Sequence, residues 1–257
     1  MKYFLILLIG FLSSCKETTP IKPDLPVTKE RDPNTIIVAL EQDVEWGHYQ
    51  FMRKGQHQGL EIELLQHIAA NSEYTFEFKI LPWKRAMQEV KDAETDILIS
   101  VTTSPKRALD YVFSDTLYEV NQVLYYKKTH FPDGISFSSQ HEIEQYSTGS
   151  ILGYNIDQLK FKITEDRYRK INRLFKAVEN DSIDFAVGYL ELDRFNNHQT
   201  KQFGHLFIPA HPPLTCHWAI GRENPRRDEL LSFLNQEIKK LQVSGQYEEL
   251  EQKYLLQ

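Results

Sequence analysis

A regular alternation of strand-like and helix-like segments between residues 35 and 99 constrains the fold of this chain more than any other feature. Three short apolar runs, Thr35–Leu40, Thr75–Leu81 and Ile97–Ile99, are typical of strands. Between them, Gly59–Ala70 and the segment that begins at Pro82 place apolar residues at helical spacing. This β-α-β-α-β order predicts an α/β fold with a parallel sheet, right-handed crossovers and helices on the faces of the sheet.

The segment that follows the third strand is rich in groups that bind anions. Hydroxyl side chains come directly after the apolar run at Ser100, Thr102, Thr103 and Ser104. Pro105 suits the first turn of a short helix, and that turn would place Arg107 just beyond the end of the strand. Hydroxyls, free helix N–H groups and a planar guanidinium together match the two oxygens of a carboxylate. A surface turn with a solvated arginine contains the same residue types, so this stretch by itself leaves both interpretations open.

The N-terminus has the features of an export signal. Lys2 precedes the apolar run Tyr3–Leu12, which is short for a membrane span but suits the core of a signal peptide. The run ends in Leu-Ser-Ser-Cys at Leu12–Cys15, which resembles the lipobox of bacterial lipoproteins. This resemblance implies a signal peptide over residues 1–14 and a lipid on Cys15. The alternative is an ordinary signal peptide with an incidental cysteine.

Composition predicts how the rest of the chain is presented. Residues 15–34 contain four prolines and few apolar side chains, so we expect a lipid anchor followed by an extended tether. The chain has 30 Lys and Arg residues against 36 Asp and Glu residues, and the loss of Lys2 with the signal would leave a formal net charge of −7. This acidity argues against a nucleic-acid partner. The prediction is a protein of the bacterial cell envelope that faces the periplasm or the exterior and contacts the membrane through its lipid alone.

The second half of the chain continues the α/β pattern. Apolar runs predict strands at Val123–Lys128, Ile183–Val187 and Cys216–Gly221, and helical spacing predicts helices at Ile171–Val178 and Glu229–Leu241. The first strand is followed by a predicted loop, Glu41–Gln56, that carries Trp46 and Tyr49. Loops that follow the C-terminal ends of strands are where open α/β sheets place ligand contacts.

Several segments resemble one known family. Gly59–Leu65 (GLEIELL), Asp96–Ile99 (DILI) and Thr102–Tyr118 (TTSPKR, then FSDTLY) resemble the family 3 solute-binding proteins. These proteins are the extracytoplasmic receptors of polar amino-acid ABC importers. Gly149–Tyr154 and Gly245–Tyr254, with Tyr254 in place of a tryptophan, resemble further segments of the family. The likeness runs over nearly all of the chain from Thr35 to Tyr254.

The resemblance implies a type II periplasmic-binding fold, in which two α/β lobes are joined by two crossing hinge segments and close over a ligand. For this chain it implies a first lobe over residues 35–118 and 217–257 and a second lobe over residues 123–210. The hinges are expected near residues 117–122 and 211–217. We also expect a monomer without a cofactor.

The resemblance assigns ligand-binding roles on the first lobe. Arg107 falls on the family's arginine for the ligand α-carboxylate, and Thr102 and Ser104 fall where the family supplies hydroxyl contacts. Ser100 falls where a backbone carbonyl often meets the ligand amine. An aromatic residue after the first strand often stacks on the ligand, and Trp46 is the first choice for this role, with Tyr49 second. Either ring could equally serve packing within the lobe.

On the second lobe the sequence departs from the family pattern. Gly153 falls on the family's turn glycine, but Tyr154 replaces the usual small hydroxyl residue, so we expect a narrower cleft. The aspartate that holds the ligand ammonium in amino-acid binders falls on Tyr189 here, and a phenol cannot supply that charge. Glu191, or Glu41 or Asp43 from the first lobe, could take over, or the ligand has no α-amine. We favour a ligand without an α-amine.

Three functional classes follow. The leading hypothesis is a binding protein that captures a small carboxylate-bearing solute, an amino acid or related organic acid, for an ABC permease. The second is a receptor on the same fold that signals ligand state to a membrane sensor. The third is an enzyme similar to cyclohexadienyl dehydratases, for which Glu41, Glu191 and His211 are nominal acid–base candidates. The nine histidines show no metal-ligand spacing, and Cys216 is predicted to be a buried apolar residue.

Overall fold

The computed structural model describes residues 32–42, 45–191 and 201–255 of the 257-residue chain. Pro33–Gln257 forms one compact unit, and the description below concerns this unit. The predicted lipidation residue Cys15, the signal peptide, most of the tether and Asp43 lie outside the described residues. Within the described ranges, none of the helices combines the length and the apolar character that a membrane span requires.

The first half of the unit contains nine strands, two α-helices and a short 3-10 helix. In chain order these are β1 (Thr35–Glu41), β2 (Glu45–Trp46), β3 (Gln50–Arg53), β4 (Gln56–Gln58), α1 (Leu60–Ala70), β5 (Thr75–Leu81), α2 (Trp83–Lys91), β6 (Ile97–Thr102), the 3-10 helix Arg107–Leu109, β7 (Tyr111–Phe113), β8 (Tyr118–Val120) and β9 (Gln122–Lys127). The predicted β-α-β-α-β order from residue 35 to residue 99 is confirmed.

The second half contains five further strands and three α-helices within the described residues. They are the 3-10 helix Gln140–Gln145, β10 (Thr148–Ile151), β11 (Glu165–Tyr168), α3 (Ile171–Glu179), β12 (Phe185–Tyr189), β13 (Phe203–Phe207), β14 (Leu214–Gly221), α4 (Arg227–Ser244) and α5 (Gln246–Leu255). The α4 helix ends at Gly245, whose backbone has a φ of 78° in the left-handed region that glycine adopts without strain.

Two sheets divide the unit into two lobes. Lobe 1 is built on a six-stranded sheet in the order β5-β1-β6-β14-β7, with β8 paired to β14. The β5, β1 and β6 strands are parallel, so their C-terminal ends meet at one edge. Lobe 2 is built on a five-stranded sheet in the order β11-β10-β12-β9-β13. The predicted α/β two-lobe fold is confirmed.

Alternating side chains along β1 are buried on both faces of the lobe 1 sheet. Ile36, Val38 and Leu40 of β1 face the core formed with α1, α4 and α5, whereas Ala39 faces the smaller core formed with α2. Both faces are therefore covered by helices, as the apolar runs in the sequence predicted. The expected loop Glu41–Gln56 is wrong in part, because it contains two strands of a small antiparallel sheet, β2-β3-β4.

Two strands connect the lobes. The β8 strand leads from lobe 1 into β9 of lobe 2, and β14 brings the chain back. They pair antiparallel, with Leu214 opposite Val120 and Cys216 opposite Tyr118. Both strands lie within or next to the predicted hinge segments. The hinge role of these segments and the exact boundaries of the lobes stay predictions.

Candidate functional site

A β-bulge shapes the lobe 1 wall of the cleft between the lobes. The pairing of β14 with β6 shifts between His217 and Ala219, so that two residues of β6, Ile99 and Ser100, lie opposite Trp218 alone. Ser100 has a φ of 59°, a left-handed conformation that costs a residue with a side chain about 1–2 kcal/mol. Bulges of this kind occur next to functional sites because they redirect a strand where it ends.

Arg107 lies buried at the end of this strand. Its Nη1 donates to the Thr102 carbonyl oxygen at 2.7 Å and to Thr102 Oγ1 at 3.0 Å. Ser104 Oγ accepts the Arg107 backbone N–H at 3.2 Å and donates to Asp157 of lobe 2 at 3.2 Å. The predicted short helix is a 3-10 turn of three residues, Arg107–Leu109, and Ser104 satisfies the first N–H group of that turn.

Lobe 2 closes on Arg107 through a backbone carbonyl. The Gly153 carbonyl oxygen accepts Arg107 Nη2 at 2.9 Å and Trp83 Nε1 at 2.9 Å, so two side chains of lobe 1 bond one atom of lobe 2. Gly153 has a φ of 89°, and a Cβ atom at this position would lie 3.2 Å from Trp83 Cδ1. Two features therefore favour glycine at position 153: the positive φ of its backbone and the close approach of the Trp83 ring.

The guanidinium of Arg107 forms no ion pair with a carboxylate of the described residues. The side chain is buried, and burial lowers the pKa of Arg107. Across residues 32–42, 45–191 and 201–255, no carboxylate oxygen lies within 4.0 Å of its nitrogens, and the nearby Asp157 pairs with Lys106 at 3.7 Å. A buried cation held by neutral oxygens alone is costly, and an anion placed beside it relieves that cost.

Eight side chains from both lobes surround a small cavity next to Arg107. They are Glu41, Trp46, Trp83, Ser100, Thr102, Arg107, Tyr154 and Tyr189. The cavity is about 10 Å³, less than the roughly 30 Å³ that one water molecule occupies in the liquid. Six of the predicted ligand-binding residues line this cavity, and the three that do not are Ser104, Gly153 and Glu191. The structure brings these six residues together around the cavity. The binding roles of all nine residues stay predictions.

Aromatic rings fill the cleft. The Tyr154 ring lies 6.3 Å from the Trp46 ring and 6.1 Å from the Trp83 ring, with interplanar angles of 86° and 84°. The Tyr189 ring lies 4.3 Å from Trp46 and 5.9 Å from Tyr154. Burial raises the pKa of Tyr154 and of Tyr189, so both phenols stay neutral. The narrowing of the ligand cleft expected from Tyr154 stays a prediction.

An open groove adjoins the filled cavity. It has a volume of about 360 Å³ and runs between the C-terminal half of α2, the 3-10 helix and the lobe 2 turn after β10. Arg107 and Tyr154 line both the groove and the cavity. Separation of the lobes at Tyr154 would therefore join the two spaces around Arg107.

The sequence model of the bacterial extracellular solute-binding proteins, family 3, matches residues 36–257. The chain belongs to this family. The resemblance stated from the motifs is thereby confirmed, and it covers the whole compact unit.

Proteins similar to this family 3 solute-binding protein include a curated relative and solved structures of the same fold. A probable histidine-binding protein of Neisseria gonorrhoeae is 24% identical over 214 residues, which cover 78% of this chain and 76% of that protein. A substrate-binding protein of an ABC uptake transporter from Streptococcus pneumoniae, solved with bound histidine, superimposes with a TM-score of 0.71 at 16% identity, covering 87% and 93% of the two chains. A histidine kinase sensor domain superimposes with a TM-score of 0.70 at 18% identity, covering 86% and 96%. The likeness to these two structures shows the fold alone.

The acidic residues of this family 3 protein are distributed unevenly around the cleft. Glu41 lines the cavity, and its negative charge contributes to the raised pKa of Tyr154. Glu191 is buried outside the cavity lining, and its Oε1 lies 3.4 Å from the Asn121 backbone nitrogen that donates to it. His211 is also outside the lining. The three acid–base candidates of the enzyme hypothesis therefore do not converge, and the relatives named above are binding proteins or sensors.

Sequence reasoning missed two residues that shape the site. Trp83 belongs to the helix predicted to begin at Pro82, and it lines the cavity and donates to the Gly153 carbonyl oxygen. Its position after β5 was the available signal, because parallel strands end at a common edge. Asn155 of lobe 2 donates to Thr102 Oγ1 at 3.2 Å and to the Thr103 carbonyl at 2.8 Å, and no motif had indicated it.

A buried carboxyl supports the lobe 1 wall from below. Glu61 of α1 is fully buried, and it accepts Ser100 Oγ at 2.9 Å and the Tyr118 hydroxyl at 2.7 Å. Tyr118 in turn accepts Trp46 Nε1 at 3.0 Å. Burial raises the pKa of Glu61 to about 7, although the hydrogen bonds from Tyr118 and Ser100 oppose the shift. Glu61 thus links the strained Ser100, the crossing strand β8 and an aromatic wall of the cleft.

Proposed function

We propose that this chain is a lipid-anchored extracytoplasmic binding protein that captures a small carboxylate-bearing solute for an ABC importer. Arg107 binds the carboxylate, and the two lobes close around the rest of the ligand. The lipid anchor at Cys15 is proposed from the lipobox alone. Extracytoplasmic solute binding is the property of the family to which the chain belongs.

One observation carries the proposal. Arg107 is 7% exposed at the junction of the lobes and is hydrogen-bonded by neutral oxygens of Thr102 and Gly153. A guanidinium has five N–H donors in a planar fork that matches a carboxylate. The Gly153 carbonyl oxygen belongs to the opposite lobe. Opening of the lobes therefore breaks its hydrogen bond with Arg107 and frees Arg107 Nη2 for a ligand oxygen.

The arginine alone does not determine the affinity. A charge-assisted hydrogen bond contributes about 1.5–3 kcal/mol, whereas micromolar binding requires about 8 kcal/mol. The remainder comes from apolar contact with the ring-lined cleft when the lobes close. A compact ligand suits this cleft because the rings already lie in contact with one another.

The ligand class is an amino acid or a related organic acid. The histidine named for the Neisseria relative and for the Streptococcus structure supports an amino-acid-like ligand. The phenol of Tyr189, at the position of the family's ammonium-binding aspartate, argues against an ordinary α-amine.

Isothermal titration calorimetry with a panel of amino acids and small organic acids tests the carboxylate site. We expect saturable binding by the purified chain and a loss of at least about 100-fold in affinity for Arg107→Ala, the size expected for the removal of two charge-assisted bonds. Lys106→Ala is the matched control, because it removes the same charge one residue away from an exposed side chain. Equal affinity in wild type and Arg107→Ala would contradict the assignment.

A sensor role is the second candidate, since a histidine kinase sensor domain shares the fold. Deletion of the gene separates the two roles. A transport protein is required for uptake of the radiolabelled ligand, whereas a sensor is required for a transcriptional response to a ligand that still enters the cell.

A further inference from the structure

The side chains that line the cavity bear on the identity of the ligand, and the inference drawn from them rests on the carboxylate-binding function proposed above. Among the eight side chains that line the cavity, four are aromatic: Trp46, Trp83, Tyr154 and Tyr189. Two come from each lobe. Arg107 supplies one positive charge, and Glu41 supplies one negative charge. The lining therefore matches a zwitterion better than a simple acid.

Two hydroxyls of the lining, those of Ser100 and Thr102, are already used in hydrogen bonds within the protein. Ser100 Oγ donates to Glu61, and Thr102 Oγ1 accepts bonds from Arg107 and Asn155. A primary ammonium has three N–H donors and requires several acceptors when it is buried. These hydroxyls cannot supply them without breaking bonds that hold the cavity together.

The relative orientation of the rings favours a rounded cation over a flat ligand. The Tyr154 ring is nearly perpendicular to both Trp46 and Trp83, at 86° and 84°, and Tyr189 is inclined to Trp46 by 63°. A flat ligand is held between two parallel rings, whereas mutually perpendicular rings form the walls of a box. Aromatic boxes bind alkylated ammonium groups through the negative charge of the ring faces, with no demand for hydrogen bonds.

We propose that the ligand is a small betaine, a zwitterion whose carboxylate is bound by Arg107 and whose fully methylated nitrogen lies among Trp46, Trp83, Tyr154 and Tyr189. Glu41 supplies the balancing negative charge at the edge of this aromatic box. Tyr189 in place of an aspartate is then a specificity determinant, because it replaces an acceptor for N–H groups with a ring for methyl groups.

A set of three related ligands, two of them isosteric, tests the proposal by calorimetry on the purified chain. Trimethylglycine has the proposed chemistry, glycine has the same skeleton with a primary ammonium, and 3,3-dimethylbutyrate has the same shape with an uncharged carbon in place of the nitrogen. We expect trimethylglycine to bind at least about tenfold more tightly than either of the other two, in line with a desolvated cation–π contact.

Ring variants separate the cation–π contribution from the filling of space. In Tyr154→Leu we expect the preference for trimethylglycine over 3,3-dimethylbutyrate to fall about tenfold, whereas Tyr154→Phe keeps the ring and the preference. Thermal unfolding checks that both variants are folded. If Tyr154→Leu does not fold, the pair Tyr189→Leu and Tyr189→Phe makes the same comparison.

The outcomes distinguish this inference from the function on which it rests. Tighter binding of glycine or of another primary-amine amino acid, reduced in Glu41→Gln, overturns the betaine assignment and leaves the carboxylate site intact. Equal binding of trimethylglycine and 3,3-dimethylbutyrate also overturns it. Absence of binding by every carboxylate tested, or binding that Arg107→Ala does not weaken, overturns both.

Discussion

The Ser100–Arg107 segment and the pair Tyr154 and Tyr189 form opposite walls of one cavity by different physical means. The Ser100–Arg107 wall is polar and closely spaced in sequence, and each of its hydroxyls has a hydrogen-bond partner. The wall formed by the two tyrosines comes from β12 and the turn after β10, and it is held mainly by ring contacts. Directional bonds fix the polar wall atom by atom, whereas ring packing leaves the aromatic wall free to move as a unit.

The energetics of the two walls differ accordingly. Removal of one partner in the polar wall leaves a buried donor or acceptor without a bond, which costs about 1–3 kcal/mol. Removal of a hydroxyl from the aromatic wall changes less, because offset and perpendicular ring contacts survive. Variants at each wall therefore sharpen or break this contrast.

The largest effect is expected from the carboxyl that supports the polar wall. Since the folded-state pKa of Glu61 is raised from 4.5 to about 7, the folded protein binds a proton more tightly than the unfolded chain. The stability that the neutral carboxyl provides is present below pH 4.5 and is lost as the pH rises through about 7. The loss amounts to about 3 kcal/mol.

Urea unfolding of Glu61→Gln at several pH values measures this loss. Between pH 4.5 and 7.5 we expect the variant to gain about 3 kcal/mol of unfolding free energy relative to wild type, because its side chain does not ionise. Glu77→Gln, at an exposed position of β5, is the control for a change of one charge. A difference between Glu61→Gln and wild type that is independent of pH would show that Glu61 is already ionised.

The next effect concerns the hydroxyl at the centre of the polar wall. Thr102→Val keeps the side-chain shape but removes the acceptor of Arg107 Nη1 and Asn155 Nδ2. We expect a loss of about 2 kcal/mol in unfolding free energy and weaker ligand binding. Thr103→Val is the matched control, since its hydroxyl makes one long contact of 3.5 Å with Thr215. Equal melting temperatures for the two variants would show that the Thr102 hydroxyl contributes no more to stability than the Thr103 hydroxyl. The energetic contrast between the polar wall and the aromatic wall would then be wrong.

The smallest effect concerns the approach of the two lobes. Gly47, in the turn after β2, has a φ of 58°, and a Cβ atom there would lie 2.9 Å from the Glu191 carbonyl oxygen of lobe 2. Gly55 has a φ of 76° with open space around it, so Gly55→Ala carries the backbone strain without the clash. We expect Gly47→Ala to cost about 1 kcal/mol more than Gly55→Ala and to enlarge the radius of gyration of the free protein. The same small-angle scattering curve for both variants would contradict the predicted contact between the lobes.

Much of the polar wall could be predicted from the sequence because its parts are neighbours in the chain. The apolar run of β6, the hydroxyls after it and Arg107 lie within eleven residues, so local rules for strand ends were enough to propose a site. The longer elements of lobe 1, namely β1, β5, β6, β14, α1, α2 and α4, were likewise predicted from apolar runs and helical spacing. The family resemblance then identified the fold over the whole compact unit.

Features that depend on contacts between distant segments could not be predicted. The bulge at Ser100 depends on the register of β14, more than 110 residues later. The small sheet β2-β3-β4 is built from strands of two to four residues, too short for periodicity to reveal. The role of the Gly153 carbonyl depends on how two side chains of lobe 1 meet a backbone atom of lobe 2, and residue type at position 153 does not encode that contact.

The bond between Arg107 and the Gly153 carbonyl has a kinetic consequence. If Arg107 binds the ligand carboxylate as proposed, that carboxylate competes with an oxygen that the protein itself supplies, so association waits for the Gly153 oxygen to leave. The observed rate of binding then rises with ligand concentration only until it reaches the rate at which the lobes separate. The apparent dissociation constant equals the intrinsic one divided by the fraction of time that the arginine is uncovered. The proposed ligand carboxylate must therefore bind Arg107 more favourably than the Gly153 backbone carbonyl does.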